Sequence, residues 1–431
     1  MAIRDLNELE FVETLQGYLT PSSPVQRLQL LRGRREQVTQ ITRAFHSKGR
    51  HVFIFGDRGV GKSSLALSVA NFLCAEDDRP IQLACNSETF FSLARNLASQ
   101  LLGATPVNGG VSGGSIGLAG YGLSATLEGQ LQAREVPELT SLNEVVSVIR
   151  YCVDKHLQER VVIFDEFDAL PNDADRGLFA DFIKQMGDQS VPIKMLFTGI
   201  GQSLESLLAA HHSCYRYLAS VSLSPLNWDG RLAIINAAAE ALGIEVDMST
   251  QYRIGAISDG FPHYIHLICE KLFWEIFDDP EDISQVTPEL YRRAIEAAVQ
   301  DIEPFLQELY ETATRKYNDD YQEVLWAVAD HHEFERRSTD IFLSYQDIMK
   351  QRPHPAMDRT RFNTRMNSLK KDSHGAILIG TRQGWYELRE PILRGYIRLR
   401  AERDGVALAQ DHPQDTGART LQLFKDKRAP Q

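Results

Sequence analysis

Two groups of residues in this chain of 431 have the types and spacing for phosphate chemistry. Gly56-Asp57-Arg58-Gly59-Val60-Gly61-Lys62-Ser63, followed by Ser64, satisfies G-x-x-x-x-G-K-[ST]. Glycines let the backbone curl until successive N–H groups converge on phosphate oxygens, and a helix starting there adds its positive end. Lys62 is expected to reach the β- and γ-phosphates and the Ser63 hydroxyl to ligate Mg²⁺. The second group is Val161-Val162-Ile163-Phe164-Asp165-Glu166, an apolar strand running into two carboxylates. Asp165 at such an edge can hold the Mg²⁺ through water, and Glu166 can polarise an attacking water as general base. Together the two groups point to hydrolysis of a nucleoside triphosphate with Mg²⁺, beyond nucleotide binding alone.

The elements that must position these residues are legible in the apolar patterning. Strand-like runs at His51–Phe55, Pro80–Cys85, Val161–Asp165, Ile193–Thr198 and Ala219–Leu223 alternate with amphipathic stretches, the pattern of a parallel α/β sheet. After the loop, Leu65, Val69, Phe72 and Leu73 fall on one helical face, giving the strand, loop, helix context that the motif needs. From Trp228 the strand signals stop. Helical periods at Asp229–Leu242, Thr250–Ser258, His263–Ile276 and Thr287–Val299 predict a helical lid. The expected organisation is an acidic arm over 1–24, an α/β nucleotide domain over 25–227, the lid over 228–304, a further unit over 305–403 and a flexible tail over 404–431.

Composition narrows the class. Hydrophobic residues make up 43% and charged residues 24%, the balance of a soluble globular chain. The five cysteines form no C-x-x-C pair and read as core hydrophobes in a reducing cytosol. The acidic start MAIRDLNELEFVETL lacks the basic and apolar regions of a signal peptide, so a cytoplasmic location without membrane is expected. The uncharged stretch Asn96–Leu127 contains eight glycines and is too polar to span a bilayer. The net charge of −12 argues against nucleic acid bound over the whole surface, yet it is uneven: residues 1–314 carry −16 and residues 315–403 carry +4.

With both motifs placed, the chain resembles the AAA+ superfamily, particularly its initiator-like and STAND-related branch of origin-recognition, transposition-regulator and defence-system ATPases. Leu31-Arg32-Gly33-Arg34 resembles the "GR" entry motif, which implies Arg34 near adenine. Leu196-Phe197-Thr198-Gly199 stands where such proteins carry sensor 1, implying that Thr198 bonds the γ-phosphate or the water. Arg216 occupies the place of an arginine finger, which acts across a subunit boundary and implies a homo-oligomer with shared sites. Asp259-Gly260-Phe261-Pro262-His263 resembles the sensor-2 region, with His263 near the place of the usual arginine and a Gly-x-Pro closer to STAND proteins.

The glycine-rich insert at about 103–130 carries no Lys or Arg and reads as a protein-facing or flexible segment. Beyond the lid, Asp320–His331, Tyr345–Lys350 and Asp358–Lys371 read as helices, with Ser344 and Asp358 as N-caps. Ala376–Ile379 and Trp385–Leu388 around a Gly-containing turn read as a hairpin. Three helices and a hairpin predict a winged helix, which the same ATPase branch carries at this end. Seven bases between Lys350 and Lys371 face one acid, and Arg359, Arg361, Arg365, Lys370 and Lys371 are the expected contacts to double-stranded DNA. Two functional readings follow. One is an oligomeric ATP-hydrolysing switch acting on or with DNA; the other is a STAND-like signalling NTPase, for example in antiphage defence, that senses a protein trigger and passes the signal to a separate effector. A small-molecule kinase is disfavoured because no separate substrate domain is evident.

Overall fold

The computed structural model describes residues 3–74, 78–86, 88–103, 136, 138–156, 159–210, 215–314 and 320–408. The glycine-rich insert, apart from Gly103, and the tail beyond Leu408 lie outside the described residues. Two compact units divide the chain. One comprises Pro24–Asp57 and Gly61–Ser224; the other takes the remaining described residues.

The first unit is a five-stranded parallel sheet. Its strands are β1 (His51–Phe55), β2 (Ile81–Ala84), β3 (Arg160–Asp165), β4 (Ile193–Gly199) and β5 (Leu218–Ser222), in spatial order β2-β3-β4-β1-β5. Burial follows that order. The inner strands β1, β3 and β4 are buried almost without a break, whereas the edge strands β2 and β5 alternate buried and exposed positions. The run HVFIF is therefore central because both its faces are apolar.

Helix α2 (Arg35–Phe45) leads into β1, and α3 (Lys62–Leu73), α4 (Phe90–Gly103), α5 (Leu142–Val153), α6 (Asp173–Asp188) and α7 (Gly201–Ala210) lie in the connections between strands, as parallel pairing requires. An aromatic cluster fills the core between sheet and helices. Phe164 and Phe197 stack at 5.1 Å, and the Phe167 ring meets Phe53, Phe179 and Phe197 edge-on at 5.6, 5.2 and 5.5 Å. Phe167 directly follows Glu166, so core packing fixes the backbone on which that carboxylate rides.

The second unit opens with α1 (Glu8–Gln16), whose Phe11 stacks on Phe277 at 4.3 Å and meets Trp274 edge-on at 4.9 Å. Those partners belong to a group of four helices: α8 (Trp228–Leu242), α9 (Met248–Ser258), α10 (Pro262–Phe277) and α11 (Pro288–Gln300). Helices α12 (Pro304–Thr314), α13 (Asp320–Ala329), α14 (Ser338–Met349), α15 (Arg359–Ser368) and α16 (Leu393–Arg403) follow. A three-stranded antiparallel sheet accompanies them, in spatial order β6 (Arg336–Arg337), β8 (Trp385–Leu388), β7 (Leu378–Arg382).

One boundary departs from the sequence expectation. Helix α14 begins at Ser338, not after Ser344, and its N-cap Arg337 makes no side-chain capping bond. Pairing of β6 with β8, together with the Ser338 N–H donating to the Gly384 carbonyl at 2.8 Å, fixes this start. Ser344 instead accepts from Arg336 at 2.9 Å. Asp358 does cap α15, accepting from the Arg361 N–H at 2.9 Å.

Candidate active site

The loop after β1 turns through two left-handed glycines, Gly59 at φ +81° and Gly61 at φ +95°. Gly61 is the N-cap of α3, and no side chain caps that helix. The first backbone N–H groups of α3 are thus presented at the loop without a competing side-chain acceptor, the form of an anion-binding helix start. Lys62 Nζ donates to the carbonyls of Gly56 (3.0 Å) and Asp57 (2.8 Å), so the loop arches around the ammonium.

Opposite the loop, three donors converge on a single oxygen. Asp165 Oδ1 accepts from Ser63 Oγ at 2.9 Å, from the Glu166 N–H at 3.1 Å and from the Thr198 hydroxyl. The Glu166 N–H is shared with Thr198 Oγ1, also at 3.1 Å. The strand order explains the meeting: β4 lies between β1 and β3, so Thr198 at its C-terminal end reaches the end of β3. Thr198 is 1% exposed, Asp165 half-buried and Glu166 exposed. Glu166 sits at φ 55°, ψ 48°, left-handed backbone that costs a non-glycine residue about 1–2 kcal/mol. The surrounding hydrogen bonds and the Phe167 packing hold it there.

These groups suit a hard cation and a polyphosphate. Ser63 and Asp165 offer oxygen ligands 2.9 Å apart, the donor chemistry that Mg²⁺ takes. Cys85, whose backbone N–H bonds the Asp165 carbonyl at 2.9 Å, is no competitor, because burial and the nearby carboxylates push its thiol up to about 12.

Residues 30–196 match the family model described as "AAA ATPase domain". This segment is an AAA ATPase domain. The AAA domain and the sheet around it have the P-loop NTPase fold, which is shared with a Walker-type ATPase of Pyrococcus abyssi at 18% identity and a TM-score of 0.51, covering 88% of this chain and 99% of that one. The ORC1 protein of Aeropyrum pernix in complex with DNA aligns at 15% identity and a TM-score of 0.43, over 87% and 93% of the two chains. No curated protein matches the chain.

Around the AAA domain's loop, Ser64 accepts from the Val25 N–H at 3.1 Å, so its hydroxyl helps strap residues 25–26 along α3. Arg34 follows Gly33 at φ +69° and is 6% exposed. Its guanidinium donates to the Ser224 carbonyl at 2.7 Å, tying the start of α2 to the exit of β5, and burial pulls it down to about 10. Arg216 stands in the turn before β5 and is exposed, beside Tyr217, whose hydroxyl bonds Asp188.

In the second unit, His263 lies in the first turn of α10 and its Nδ1 donates to the Pro21 carbonyl at 3.1 Å. Its Nε2 is buried with no partner among the described residues. With Nδ1 carrying the proton, a neutral His263 offers a lone pair at Nε2 and becomes a phosphate donor only as imidazolium.

The five bases expected to contact DNA do not form one free array. Arg361 and Arg365 both pair with Asp320, Arg359 stacks over Phe342 at 4.8 Å and Lys370 over Tyr386 at 5.2 Å. Lys371 is exposed. Two arginines outside that set, Arg337 and Arg382, stack on Trp385 at 4.9 and 3.8 Å, and both are exposed. Arg382 stands three residues before Trp385 in a glycine-containing turn, which was the available signal; Arg337 reaches the same ring only through the pairing of β6 with β8.

Proposed function

We propose that the chain is an ATP-hydrolysing molecular switch. The observation that carries this reading is the convergence of Ser63, Thr198 and the Glu166 N–H on Asp165, beside a glycine loop closing on Lys62. Ser63 and Asp165 would hold a Mg²⁺ ion, which would supply charge neutralisation for the transferring phosphoryl group. Lys62 leaves its loop carbonyls for the phosphates, and the α3 N–H groups orient them. Glu166, exposed and fixed by its strained backbone, accepts the proton of the attacking water. Thr198 holds Asp165 and the Glu166 N–H in register, so the base and the metal ligand move together. Arg216, exposed at the turn before β5, is proposed to enter a neighbouring subunit's site, which makes the active form a homo-oligomer.

The switch is proposed to act with double-stranded DNA through the C-terminal helices and sheet, whose order of elements suits a winged helix. Net positive charge in 315–403 supports this reading. Because Asp320 engages two arginines of α15 and Glu335 engages Arg382 at 3.5 Å, the phosphate contacts are assigned chiefly to Arg337, Lys370 and Lys371 on the hairpin side.

The test is a pair of substitutions. Glu166→Gln is expected to bind ATP with parental affinity and to lose turnover by roughly a hundredfold or more, whereas Lys62→Ala weakens both. Parental turnover in Glu166→Gln, measured as phosphate release, removes the general-base assignment.

A further inference from the structure

Asp259 ends helix α9 in a left-handed turn (φ +52°) and is 3% exposed. Two arginines one turn apart on α16 close on its carboxylate. Arg394 donates through Nε and a second guanidinium nitrogen, and Arg398 donates through Nη1 at 3.0 Å; both side chains are buried. One carboxylate cannot satisfy two guanidinium groups, and backbone carbonyls supply the remaining acceptors. Arg398 bonds the carbonyls of Ala256 (2.7 Å), Ala329 (2.8 Å) and His331 (2.8 Å); Arg394 bonds those of His332 (2.8 Å) and Glu333 (2.7 Å).

Ala256 belongs to the last turn of helix α9, and Ala329 is the last residue of α13. A single guanidinium thus satisfies C-terminal carbonyls of both helices, where the negative ends of both helix dipoles favour a cation. The turn after Asp259 is also packed tightly against the segment that leads into α8. At Gly260 (φ +81°) an added Cβ would come within 2.5 Å of the Leu226 carbonyl oxygen, and the Leu226 N–H donates to the Gly260 carbonyl at 2.7 Å.

We infer that Asp259, Arg394 and Arg398 form a buried ionic latch that joins helices α8–α11 to α13 and α16, so that these two groups of helices open and unfold as one cooperative body. Asp259 is a positioning residue, and removing its charge leaves two buried cations without their counter-ion. The far end of α16 stays attached, because Glu402 pairs with Arg253 and accepts from the Tyr291 hydroxyl at 3.0 Å.

Denaturant unfolding of the full chain, followed by hydrogen exchange at peptides covering 248–262, 326–334 and 391–403, tests the latch. A common midpoint is expected in the parent and split midpoints in Asp259→Asn; a common midpoint in both, or split midpoints in the parent, overturns the latch. Should Asp259→Asn fail to fold, the variant Asp259→Asn, Arg394→Met, Arg398→Met replaces it, with the same outcomes.

Discussion

Arg361 and Arg365, one turn apart on α15, share a single carboxylate oxygen of Asp320, at 2.6 and 3.2 Å. The helix richest in basic residues is therefore partly neutralised by the first residue of α13. The pair is half-exposed on the Arg361 side, so it adds at most about 1 kcal/mol to stability. Its consequence for DNA is larger. Asp320→Ala frees two arginines, and duplex affinity is expected to rise, with a salt dependence steeper by roughly 0.9 per new phosphate contact. Arg337→Ala with Lys371→Ala is expected to act in the opposite sense. Titrations across salt concentration check both, and an Asp320→Ala protein with unchanged affinity and slope would show that α15 does not meet DNA.

The backbone of Glu166 yields a second expectation. Its left-handed conformation suits Gly or Asn better than Glu, so Glu166→Asn and Glu166→Gly are expected to raise unfolding stability by up to about 1 kcal/mol while abolishing turnover. Stability gained together with activity lost is the mark of strain held at a working residue. Thermal melting of the variants decides it; a lower Tm in Glu166→Asn contradicts the strain.

Thr198 both donates to Asp165 and accepts from the Glu166 N–H. Thr198→Val removes that hydroxyl from a buried position, and a loss of about 1–3 kcal/mol in transition-state stabilisation or stability is expected. Thr198→Ser restores the bonds and should stay close to parental. Steady-state hydrolysis with the two variants side by side is the measurement, and equal rates would remove Thr198 from the site.

Two buried histidines make both units acid-labile. His51 Nδ1 accepts from the Met195 N–H at 3.3 Å, and burial followed by Lys194 pulls the ring down to about 3. His266 Nδ1 accepts from the Thr20 N–H at 3.2 Å, and burial followed by His263 pulls it down to about 4. Protonation at Nδ1 destroys either bond. Since the folded values lie below the unfolded value of about 6.5, the stabilisation is complete above that pH and falls as pH drops toward 4 and 3, by about 1.4 kcal/mol per unit for each group. Denaturant unfolding at pH 7.5 and 5 should show the loss, and His266→Gln should flatten it for the second unit.

Arg216 is expected to act in trans. Mixing Arg216→Ala subunits with Glu166→Gln subunits pairs an intact finger with an intact base at some interfaces, so partial ATPase activity should reappear although each variant alone is inactive, a finger contributing roughly a thousandfold or more. No recovery on mixing, or full activity of Arg216→Ala alone, would remove the finger.

The features legible in residue order are local in origin. A glycine-spaced loop between an apolar strand and an amphipathic helix, a strand ending in Asp165-Glu166, and five apolar runs spaced by helices each follow from residue types within a short window. Their reading holds because φ freedom and burial periodicity are properties of neighbours in sequence. Asp358 as a helix cap was legible for the same reason.

The tertiary structure alone decided which distant groups meet. That Thr198 rather than another hydroxyl touches Asp165 depends on β4 lying between β1 and β3, an order that no local pattern encodes. The start of α14 came from strand pairing with β8, not from a capping side chain. The basic residues of α15 looked free in sequence because their partner, Asp320, stands about forty residues away. Arg394 and Arg398 are buried despite their charge, since helix termini and a carboxylate from far along the chain surround them with acceptors. Charge on a side chain is written in the sequence; whether water or another residue answers that charge is settled only when the chain has folded.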